Sequence, residues 1–529
     1  MKKRILIADK ISKAGVDYLQ SQPDFVVDIE HGLDEAGLCA KIPGYDAVLV
    51  RSAVKITEKV IDAADQLKVI GRAGIGVDNI DVGKATEKGI VVMNTPDANA
   101  TTTAELTFAH ILSLSRSLPA ADNSVRTGKW ERSKFMGAEL ANKTLGIVGY
   151  GNIGRIVATR AKAFKMKVIA YDPFVTAEAF EKEGVIPSDV DGLVKNSDYI
   201  TLHCPVNDKT RGIISAERIK LMKSSTRIIN VARGGLIDEK ALYEALKSGN
   251  IAGAALDVFE HEPPLDSPLL ELENTVFTPH LGASTDEAQT AAGSELASQI
   301  VIYLKLGEPI NALNLPPVSS DELVKLQPYM VLSNRLGRLL GNMVDEPITQ
   351  LDVTLCGEAS QRDMRSIAVE SLVGVLSVRM SAPVNSVNAI SAALKNGTKL
   401  KESSCEDHPS YHATVSLIAH HGDQKTTVVE GALFDHKHPR LVRINNYAIE
   451  AVLKGHMLVT SHNDTPGVVA AISTILAKKE INISSMQLGV VNGGSKAVAM
   501  IGISIPLDSE TIIELSKLDT ISKVMQVSL

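Results

Sequence analysis

Three glycines in the first third of the chain form the pattern with the clearest chemical meaning. Gly149, Gly151 and Gly154 follow the apolar run LGIV and precede a stretch of helical composition. This spacing allows a tight turn, close approach of the backbone to a pyrophosphate, and a helix N-terminus that favours an anion. Asp172, at the end of the next strand-like run, can accept hydrogen bonds from ribose hydroxyls and repel a 2′-phosphate. The alternative is a glycine turn without a ligand, but the ordered strand, helix and acid favour an NAD site.

Three further residues carry the groups that oxidation of a 2-hydroxy acid requires. Arg233 in NVARGG offers a planar fork that matches a carboxylate. His280 in TPHLGAS offers an imidazole that can take the hydroxyl proton near neutral pH. Glu262 in DVFEHEPP can hold the second ring nitrogen and fix the tautomer. Because the chain contains 13 histidines, composition alone cannot join these residues into one site.

The elements that must position these residues follow an alternating pattern. Short β-rich runs alternate with helical stretches through the N-terminal part, which is typical of βαβ units around a buried parallel sheet. A long helix is predicted to begin after Asn99 as its N-cap. It leads to five strand-like runs separated by helices, as a doubly wound nucleotide fold requires: TLGIV, KVIAYDP, YITLHCP, TRIINVARGG and GAALDVF. The segment 283–305 is helical again.

The second part of the chain has a different organisation. Three prolines interrupt every periodicity at 309–320 and predict a linker. Beyond it, 321–452 mixes helical segments with alternating strands, and 456–529 has the order βαββαβ with a hairpin turn at 492–494. With about 150 residues per domain, 529 residues predict three or four folded units rather than one core.

Composition and charge exclude several classes of partner. The chain has 44% apolar and 22% charged residues, which is typical of globular proteins. A net charge of −7 without a basic block argues against nucleic acid, and no apolar run approaches the roughly 18 residues of a membrane span. Four cysteines lie far apart without a CxxC pair, which argues against a disulfide scaffold or a thiolate metal site. A cytoplasmic location is the resulting expectation.

The ordered runs RAGIGVDNID, GYGNIG, NVARGG, ALDVFEHEPP and TPHLGAS resemble the D-isomer-specific 2-hydroxyacid dehydrogenases over about residues 1–315. The resemblance implies an α/β protein in which a Rossmann-type NAD domain, 99–282, is inserted in a flavodoxin-like substrate domain, 1–98 and 283–315. The active site would lie in the cleft between them. The remainder resembles the long form of one branch of this family, with an α+β intervening regulatory domain at 319–452 and a βαββαβ ACT domain at 456–529.

The resemblance also implies which residues hold NAD. Besides the glycine loop and Asp172, it places the cofactor against Ile75, Arg155, Ile156, Cys204, Val231, Ala232, Asp257, Gly282 and Ala283. At two of these positions, Ile75 and Cys204, members of the family often have threonine. A backbone contact with the cofactor survives that change, whereas a side-chain hydrogen bond is lost.

Substrate binding and catalysis are assigned in the same way: the resemblance implies Arg51, Ser52 and Gly74 on the substrate side, and Arg233, Glu262 and His280 as the catalytic set. An arginine beside a hydroxyl and backbone amides suits a phosphate group. From sequence alone, Arg51 is equally well interpreted as a surface charge at a strand end. Arg132 and Lys134 are candidates to reach the same phosphate across a dimer interface.

The activity that the resemblance implies is NAD-dependent oxidation of 3-phospho-D-glycerate to 3-phosphohydroxypyruvate, the first step of L-serine biosynthesis. Two alternatives use the same scaffold. One is a glyoxylate or hydroxypyruvate reductase, and the other is an NAD-sensing binding protein like the C-terminal-binding-protein corepressors, which gives no reason for an ACT-like tail. Isologous contacts through the dinucleotide domains and the ACT edges would give a homotetramer.

The ACT-like segment carries a possible effector site. By analogy, L-serine would bind at His462, Asp464 and Asn482. Asp464 can hold an ammonium group, the helix N-terminus after Gly467 favours a carboxylate, and Asn482 can bridge to a paired subunit. The alternative is an ACT unit that serves only as a dimerisation surface.

Overall fold

The computed structural model describes residues 2–316, 320–490 and 494–529. The segment that forms the first sheet alternates strands and helices: β1 Lys3–Ile7, α1 Lys13–Gln20, β2 Phe25–Ile29, α2 Glu35–Lys41, β3 Ala47–Val50, α3 Glu58–Ala63, β4 Val69–Arg72, α4 Val82–Glu87 and β5 Val91–Met93. All strand pairs are parallel, in the order β2-β1-β3-β4-β5. This is the flavodoxin-like strand order, in which ligands bind at the carboxyl ends of the strands.

Two consecutive helices, α5 Ala100–Arg116 and α6 Leu118–Arg126, lead to a seven-stranded sheet. Its elements are β6 Thr144–Val148, α7 Asn152–Ala163, β7 Lys167–Tyr171, α8 Ala177–Lys182, β8 Ile186–Pro187, α9 Val190–Asn196, β9 Tyr199–Leu202, α10 Ala216–Lys220, β10 Arg227–Asn230, α11 Glu239–Lys247, β11 Gly253–Leu256 and β12 Thr275–Phe277. The parallel order β12-β11-β10-β9-β6-β7-β8 is that of a doubly wound nucleotide fold. The predicted α/β class is confirmed.

The long helix α12, Asp286–Leu306, returns to the first sheet and packs against α1. At their crossing, a Cβ on Gly15 would lie 2.4 Å from the carbonyl oxygen of Gly293, so the two backbones are in direct contact. Leu296 and Ile300 of α12 lie over Gly71 of β4. The helix therefore completes the hydrophobic core of the first sheet, although it follows the nucleotide sheet in sequence.

Two further sheets form the C-terminal part. The segment that forms the third sheet consists, in chain order, of α13 Ser320–Met343, β13 Ile348–Gly357, α14 Met364–Ser377, α15 Ala389–Lys395, β14 Lys399–Cys405, β15 Ala413–His421, β16 Lys425–Phe434, β17 His438–Ile444 and β18 Tyr447–Val452. The fourth contains β19 His456–Asn463, α16 Val468–Lys478, β20 Ile483–Val490, β21 Lys496–Ile503, α17 Ser509–Ser516 and β22 Ile521–Ser528, in the predicted βαββαβ order. One face of the fourth sheet shares a core with α13, and the other is covered by α16 and α17.

The structure departs from the sequence predictions at two positions. Asn99 occupies the N-cap of α5, but its side chain makes no capping bond. The cysteine spacing argues against a disulfide scaffold, yet Cys356 and Cys405 form a disulfide. They are direct partners in the parallel pairing of β13 and β14, with a Cα separation of 4.6 Å, and no spacing rule in the sequence reveals that pairing.

Parts of two other predictions lie outside the described residues. These are positions 317–319 of the linker and most of the hairpin turn at 492–494. Within the described segments, no helix combines the length and apolar character that crossing a membrane requires.

Candidate active site

The glycine loop connects β6 to α7 in the geometry of an anion site. Gly149 has φ +94°, and a Cβ there would lie 2.5 Å from the carbonyl oxygen of His203. A Cβ on Gly154 would meet the carbonyl oxygen of Gly149 at 2.3 Å, whereas the space beside Gly151 is open. The first helical hydrogen bond runs from the Arg155 amide to the Gly151 carbonyl at 3.0 Å, and no side chain caps the helix. The amides before Arg155 can therefore bind the pyrophosphate of a dinucleotide.

Asp172 follows β7 and is held in place by the backbone. Its Oδ2 accepts a hydrogen bond from the Tyr150 amide at 2.8 Å, and its Oδ1 accepts one from the Phe174 amide at 2.9 Å. The carboxylate thus lies beside the glycine loop, where a ribose bound at this loop would meet it. The geometry fits NAD and disfavours a 2′-phosphate.

The charge of Asp172 gives a prediction about cofactor preference. Asp172→Asn keeps the side-chain size and removes the negative charge, so we expect kcat/KM with NADP relative to NAD to rise about tenfold. The ratio is measured from initial rates with both cofactors. Asp191→Asn, on α9, is the matched control and should leave it unchanged. An unchanged ratio in Asp172→Asn would show that this carboxylate does not select the cofactor.

His280 and Glu262 form a hydrogen-bonded pair. The Nδ1 atom of His280 lies 2.8 Å from Oε2 of Glu262, and Oε1 of Glu262 accepts a bond from the Phe259 amide at 3.1 Å. A carboxylate cannot donate, so Nδ1 carries the hydrogen and Nε2 keeps a free lone pair in the neutral ring. The pair is partly exposed, with half of the imidazole surface open to solvent. His280 can therefore act as a proton acceptor through Nε2.

Asp257 anchors the loop that carries His280. This buried carboxylate accepts bonds from the amides of Leu281 and Gly282, at 2.7 and 2.9 Å, and from the Thr278 hydroxyl at 2.5 Å. The Thr278 hydroxyl also lies 3.0 Å from Nε2 of His110 on α5, whose pKa is lowered by burial. Asp257, predicted as a cofactor contact, thus has its carboxylate oxygens engaged by the loop. The sequence did not predict that Thr278 and His110 take part in this hydrogen-bond network.

Arg233 reaches across the cleft to the N-terminal sheet. Its Nε atom lies 3.0 Å from Oδ2 of Asp78, and Nη1 donates to its neighbour's carbonyl, that of Ala232, at 2.7 Å. A Cβ on Gly76 would lie 1.6 Å from Nη2, so only glycine leaves room for the guanidinium there. The side chain of Asn230 donates a hydrogen bond to the Arg233 carbonyl at 2.7 Å and so holds the loop that carries Arg233.

The substrate-side residues lie at the carboxyl ends of β3 and β4. The carboxylate of Asp9 accepts hydrogen bonds from the backbone amides of Arg51 and Ala53, at 3.1 and 2.9 Å. These bonds hold the turn that contains Ser52. The Gly74 amide donates to the Thr95 hydroxyl at 2.8 Å. These contacts present the predicted residues at one edge of the sheet, where Asn79 also holds the Arg51 carbonyl.

Arg72, at the end of β4, is a cleft residue that sequence reasoning missed. Burial, together with the charges of Arg233 and Arg51, lowers the pKa of Arg72 to about 10. Its Nε has no hydrogen-bond partner, and no carboxylate lies within ion-pair distance of Arg72 or Arg51 among the described residues. Its guanidinium lies against Gly74, where a Cβ would be 2.1 Å from Nη1. Arg72 thus lies near the guanidinium groups of Arg51 and Arg233, and among the described residues only Arg233 of these three forms an ion pair, with Asp78.

The remaining predicted cofactor residues lie after strands or in helix α7: Ile75 follows β4 of the first sheet, Arg155 and Ile156 are in α7, Cys204 follows β9, Val231 and Ala232 follow β10, and Ala283 precedes α12. Arg155 pairs with Glu183 and lies over the Tyr150 ring, 4.9 Å from its centroid. Burial raises the pKa of the Cys204 thiol to about 11, so it is protonated at neutral pH. The Ile75 carbonyl accepts a hydrogen bond from the Asn94 side chain at 2.6 Å. The backbone amide of Ile75 is left as the group that could contact the cofactor.

The predicted effector residues are not gathered into one exposed site within the chain. His462 is buried, its Nδ1 lies 3.2 Å from the Thr460 hydroxyl, and burial lowers its pKa. Asp464 and Asn482 are exposed. The buried ring reflects its position on β19, where it faces the same side as Leu458 and Thr460.

Comparison with known proteins places this geometry in a family. Residues 108–282 match the NAD binding domain of the D-isomer specific 2-hydroxyacid dehydrogenases, and residues 325–445 match the D-3-phosphoglycerate dehydrogenase intervening domain. Among solved structures, D-lactate dehydrogenase from Aquifex aeolicus complexed with NAD and lactic acid has a TM-score of 0.52 and 32% identity, covering 57% of this chain and 95% of that one. A glyoxylate/hydroxypyruvate reductase from Sinorhizobium meliloti with NADP and malonate has a TM-score of 0.54 and 28% identity, covering 59% and 97%.

Full-length relatives are more specific. The chain is 41% identical to the D-3-phosphoglycerate dehydrogenase of Methanocaldococcus jannaschii, with 99% of this chain and 100% of the relative covered. It is 38% identical to the enzyme of the same name from Bacillus subtilis, with 99% of each covered. The match extends through both C-terminal sheets. The chain therefore belongs to the D-3-phosphoglycerate dehydrogenase family, a branch of the NAD-dependent D-isomer-specific 2-hydroxyacid dehydrogenases.

Proposed function

We propose that this chain oxidises 3-phospho-D-glycerate to 3-phosphohydroxypyruvate with NAD, the first step of L-serine biosynthesis. The observation that carries the substrate assignment is the placement of Arg51 and Arg72 at the carboxyl ends of the paired strands β3 and β4, on the side of the cleft that Arg233 reaches through Asp78. A substrate with both a carboxylate and a phosphate supplies acceptors for Arg51 and Arg72, and a carboxylate that can replace Asp78 as the partner of Arg233. The names of the full-length relatives support the same assignment.

Each catalytic role follows from the geometry of the pair and the arginine. Arg233 binds the substrate carboxylate through two N–H groups and orients C2 toward the nucleotide site. His280 takes the hydroxyl proton at Nε2, while Glu262 holds Nδ1 and stabilises the imidazolium that forms. NAD, held by the glycine loop and Asp172, supplies the hydride acceptor. Because oxidation releases a proton, higher pH favours it.

Arg72 and Arg51 are assigned to the phosphate. Arg72 projects from the end of β4 with an unpartnered Nε, and Arg51 leaves the end of the adjacent strand β3. Ser52 and Gly74 add a hydroxyl and a positive-φ turn at the same edge. A phosphate bound here relieves the repulsion among like charges that lowers the Arg72 pKa.

The decisive experiment compares substrates on the full-length enzyme. NADH formation is measured with 3-phospho-D-glycerate and with D-glycerate, and the reverse reaction with hydroxypyruvate and glyoxylate. We expect kcat/KM for the phosphorylated acid to exceed that for glycerate by at least about a hundredfold. Preference for the unphosphorylated compounds would favour a glyoxylate or hydroxypyruvate reductase, and absence of dehydrogenase activity would favour an NAD-sensing protein.

Arg72 gives a specificity prediction. We expect Arg72→Gln to raise KM for 3-phospho-D-glycerate by about tenfold to a hundredfold, because a charge-assisted bond to phosphate is lost. Turnover of D-glycerate, which lacks the phosphate, should change little. Arg4→Gln, at the opposite end of the same sheet, is the matched control. Equal losses with both substrates would indicate a structural role for Arg72 instead.

L-serine is proposed as an effector at His462, Asp464 and Asn482. The exposure of Asp464 and Asn482 supports a site completed by a second subunit, since neither side chain has a hydrogen-bond partner among the described residues. Inhibition of NADH formation by L-serine, lost in Asp464→Asn, is the expected result. Absence of inhibition in the wild-type enzyme would leave the ACT-like unit as a contact surface only.

The domain division, assembly and location are proposed with the same function. The substrate domain is assigned to 1–98 and 283–315, the NAD domain to 99–282, the intervening domain to 319–452 and the ACT domain to 456–529. The packing of α12 onto the first sheet supports the discontinuous assignment. A cytoplasmic homotetramer is the proposed form, to be tested by light scattering of the purified enzyme.

A further inference from the structure

A cavity of about 680 Å³ lies where three parts of the chain meet. Its walls come from the end of α12, from one face of α13 and from the last residues of β22. None of the residues assigned above to the active site or to the ACT effector site lines it. It therefore lies at the junction between the dehydrogenase part and both C-terminal sheets.

Two arginines on α13 carry the positive charge of the cavity. Arg335 donates through Nη1 to the Leu453 carbonyl at 2.7 Å, and Arg338 donates through Nη1 to the Ser528 carbonyl at 3.3 Å. Among the described residues, no carboxylate lies within ion-pair distance of either guanidinium. They are three positions apart on one helical face, so both present further N–H donors toward the same space.

Two acids line the same cavity, but only one is available. Glu370 on α14 already accepts bonds from the Asn334 amide at 3.1 Å and from the Ser386 hydroxyl. Glu308, just after the C-terminus of α12, has no hydrogen bond or ion pair to any described residue. The cavity is thus lined by two guanidinium groups with further N–H donors and by Glu308, whose carboxylate has no partner among the described residues.

We propose that this cavity binds a small zwitterion of the α-amino acid class, with its carboxylate on Arg335 and Arg338 and its ammonium group on Glu308. The two acids disfavour a polyanion, and the two guanidinium groups disfavour a simple cation. A molecule with both charges can meet the basic and the acidic groups that line the cavity, and the volume leaves room for its side chain and for bridging water.

Such a ligand would connect elements that belong to different sheets. It would touch α12, which packs on α1 of the first sheet, and α13, which shares a core with the fourth sheet. Binding therefore stabilises the placement of the C-terminal sheets against the dehydrogenase part. This second ligand site goes beyond the proposed dehydrogenase function and does not depend on it.

The test uses the full-length protein and isothermal titration calorimetry with L-alanine. Acetate and ethylammonium chloride serve as half-ligands. We expect L-alanine to bind the wild-type protein more tightly than either half-ligand, and to bind Arg338→Gln and Arg335→Gln at least about tenfold more weakly. Arg365→Gln, which removes a charge from α14 outside the cavity, should bind as wild type does.

Glu308→Gln tests the ammonium end at a position where little structure depends on the side chain. It should weaken L-alanine and leave acetate unchanged, even if an arginine variant fails to fold by circular dichroism. Unchanged L-alanine affinity in Glu308→Gln, or no binding to the wild-type protein, overturns the proposal. Loss of binding in Asp464→Asn but not in Arg338→Gln also overturns it, because the ligand would then lie in the ACT-like unit.

Discussion

Replacing His280 with alanine is expected to lower kcat by about 10²-fold to 10⁴-fold, because the imidazole proposed to take the hydroxyl proton is lost. Dinucleotide affinity should stay close to that of the wild-type enzyme. The loop carrying His280 is held by Asp257 through the amides of Leu281 and Gly282 and through Thr278, none of which the substitution touches. Steady-state NADH formation measures the first effect, and NADH titration by fluorescence measures the second.

A matched control lies next to Glu262. His261 is exposed and has no hydrogen bond among the described residues, so His261→Ala should leave turnover unchanged. Glu262→Gln keeps an oxygen that can accept from Nδ1 but loses the charge that stabilises the imidazolium, and we expect an intermediate loss of about tenfold. If His280→Ala keeps more than about a tenth of wild-type turnover, His280 is not the general base.

Much of the fold was predictable because buried strands and helices have recognisable patterns of apolar residues in the sequence. All four residues of β3 are buried, and such short apolar runs between helical stretches predict a parallel sheet. The strand β13 coincides with the alternating run ITQLDVTLCG. Which strands become neighbours leaves no such record. The pairing of β13 with β14 joins residues about fifty positions apart, and the Cys356–Cys405 disulfide was missed for that reason.

The site divides in a similar way. Asp9 and Arg72 were missed although a general rule could have found them: polar residues at the carboxyl ends of neighbouring parallel strands meet at one edge. Asp9 follows β1, and Arg72 ends β4. The contacts that cross the cleft have no local signal. The pair formed by Arg233 and Asp78, and the hydrogen bond from Asn152 to Asp97, depend on how the two sheets are placed against each other.

Arg233→Ala is expected to reduce kcat/KM for 3-phospho-D-glycerate by about 10³-fold, since the bidentate contact with the substrate carboxylate is lost in a partly buried cleft. Arg233→Lys should recover only part of this loss, because an ammonium group cannot reproduce the planar fork. Affinity for NADH should change little, since Asp172 and the glycine loop are unaffected. Initial rates over a range of substrate concentrations, together with NADH titration, check both expectations.

A substitution at Asp78 distinguishes a role of Arg233 in substrate binding from a merely structural role. The substrate carboxylate must replace Asp78 as the partner of the guanidinium, because Nε is engaged by Oδ2 at 3.0 Å in the free chain. Asp78→Asn breaks the same ion pair but leaves the guanidinium in place, and we expect KM to stay unchanged or to fall, since a competing anion is removed. If Asp78→Asn is as damaging as Arg233→Ala, the ion pair across the cleft, and not carboxylate binding, explains the effect of the arginine.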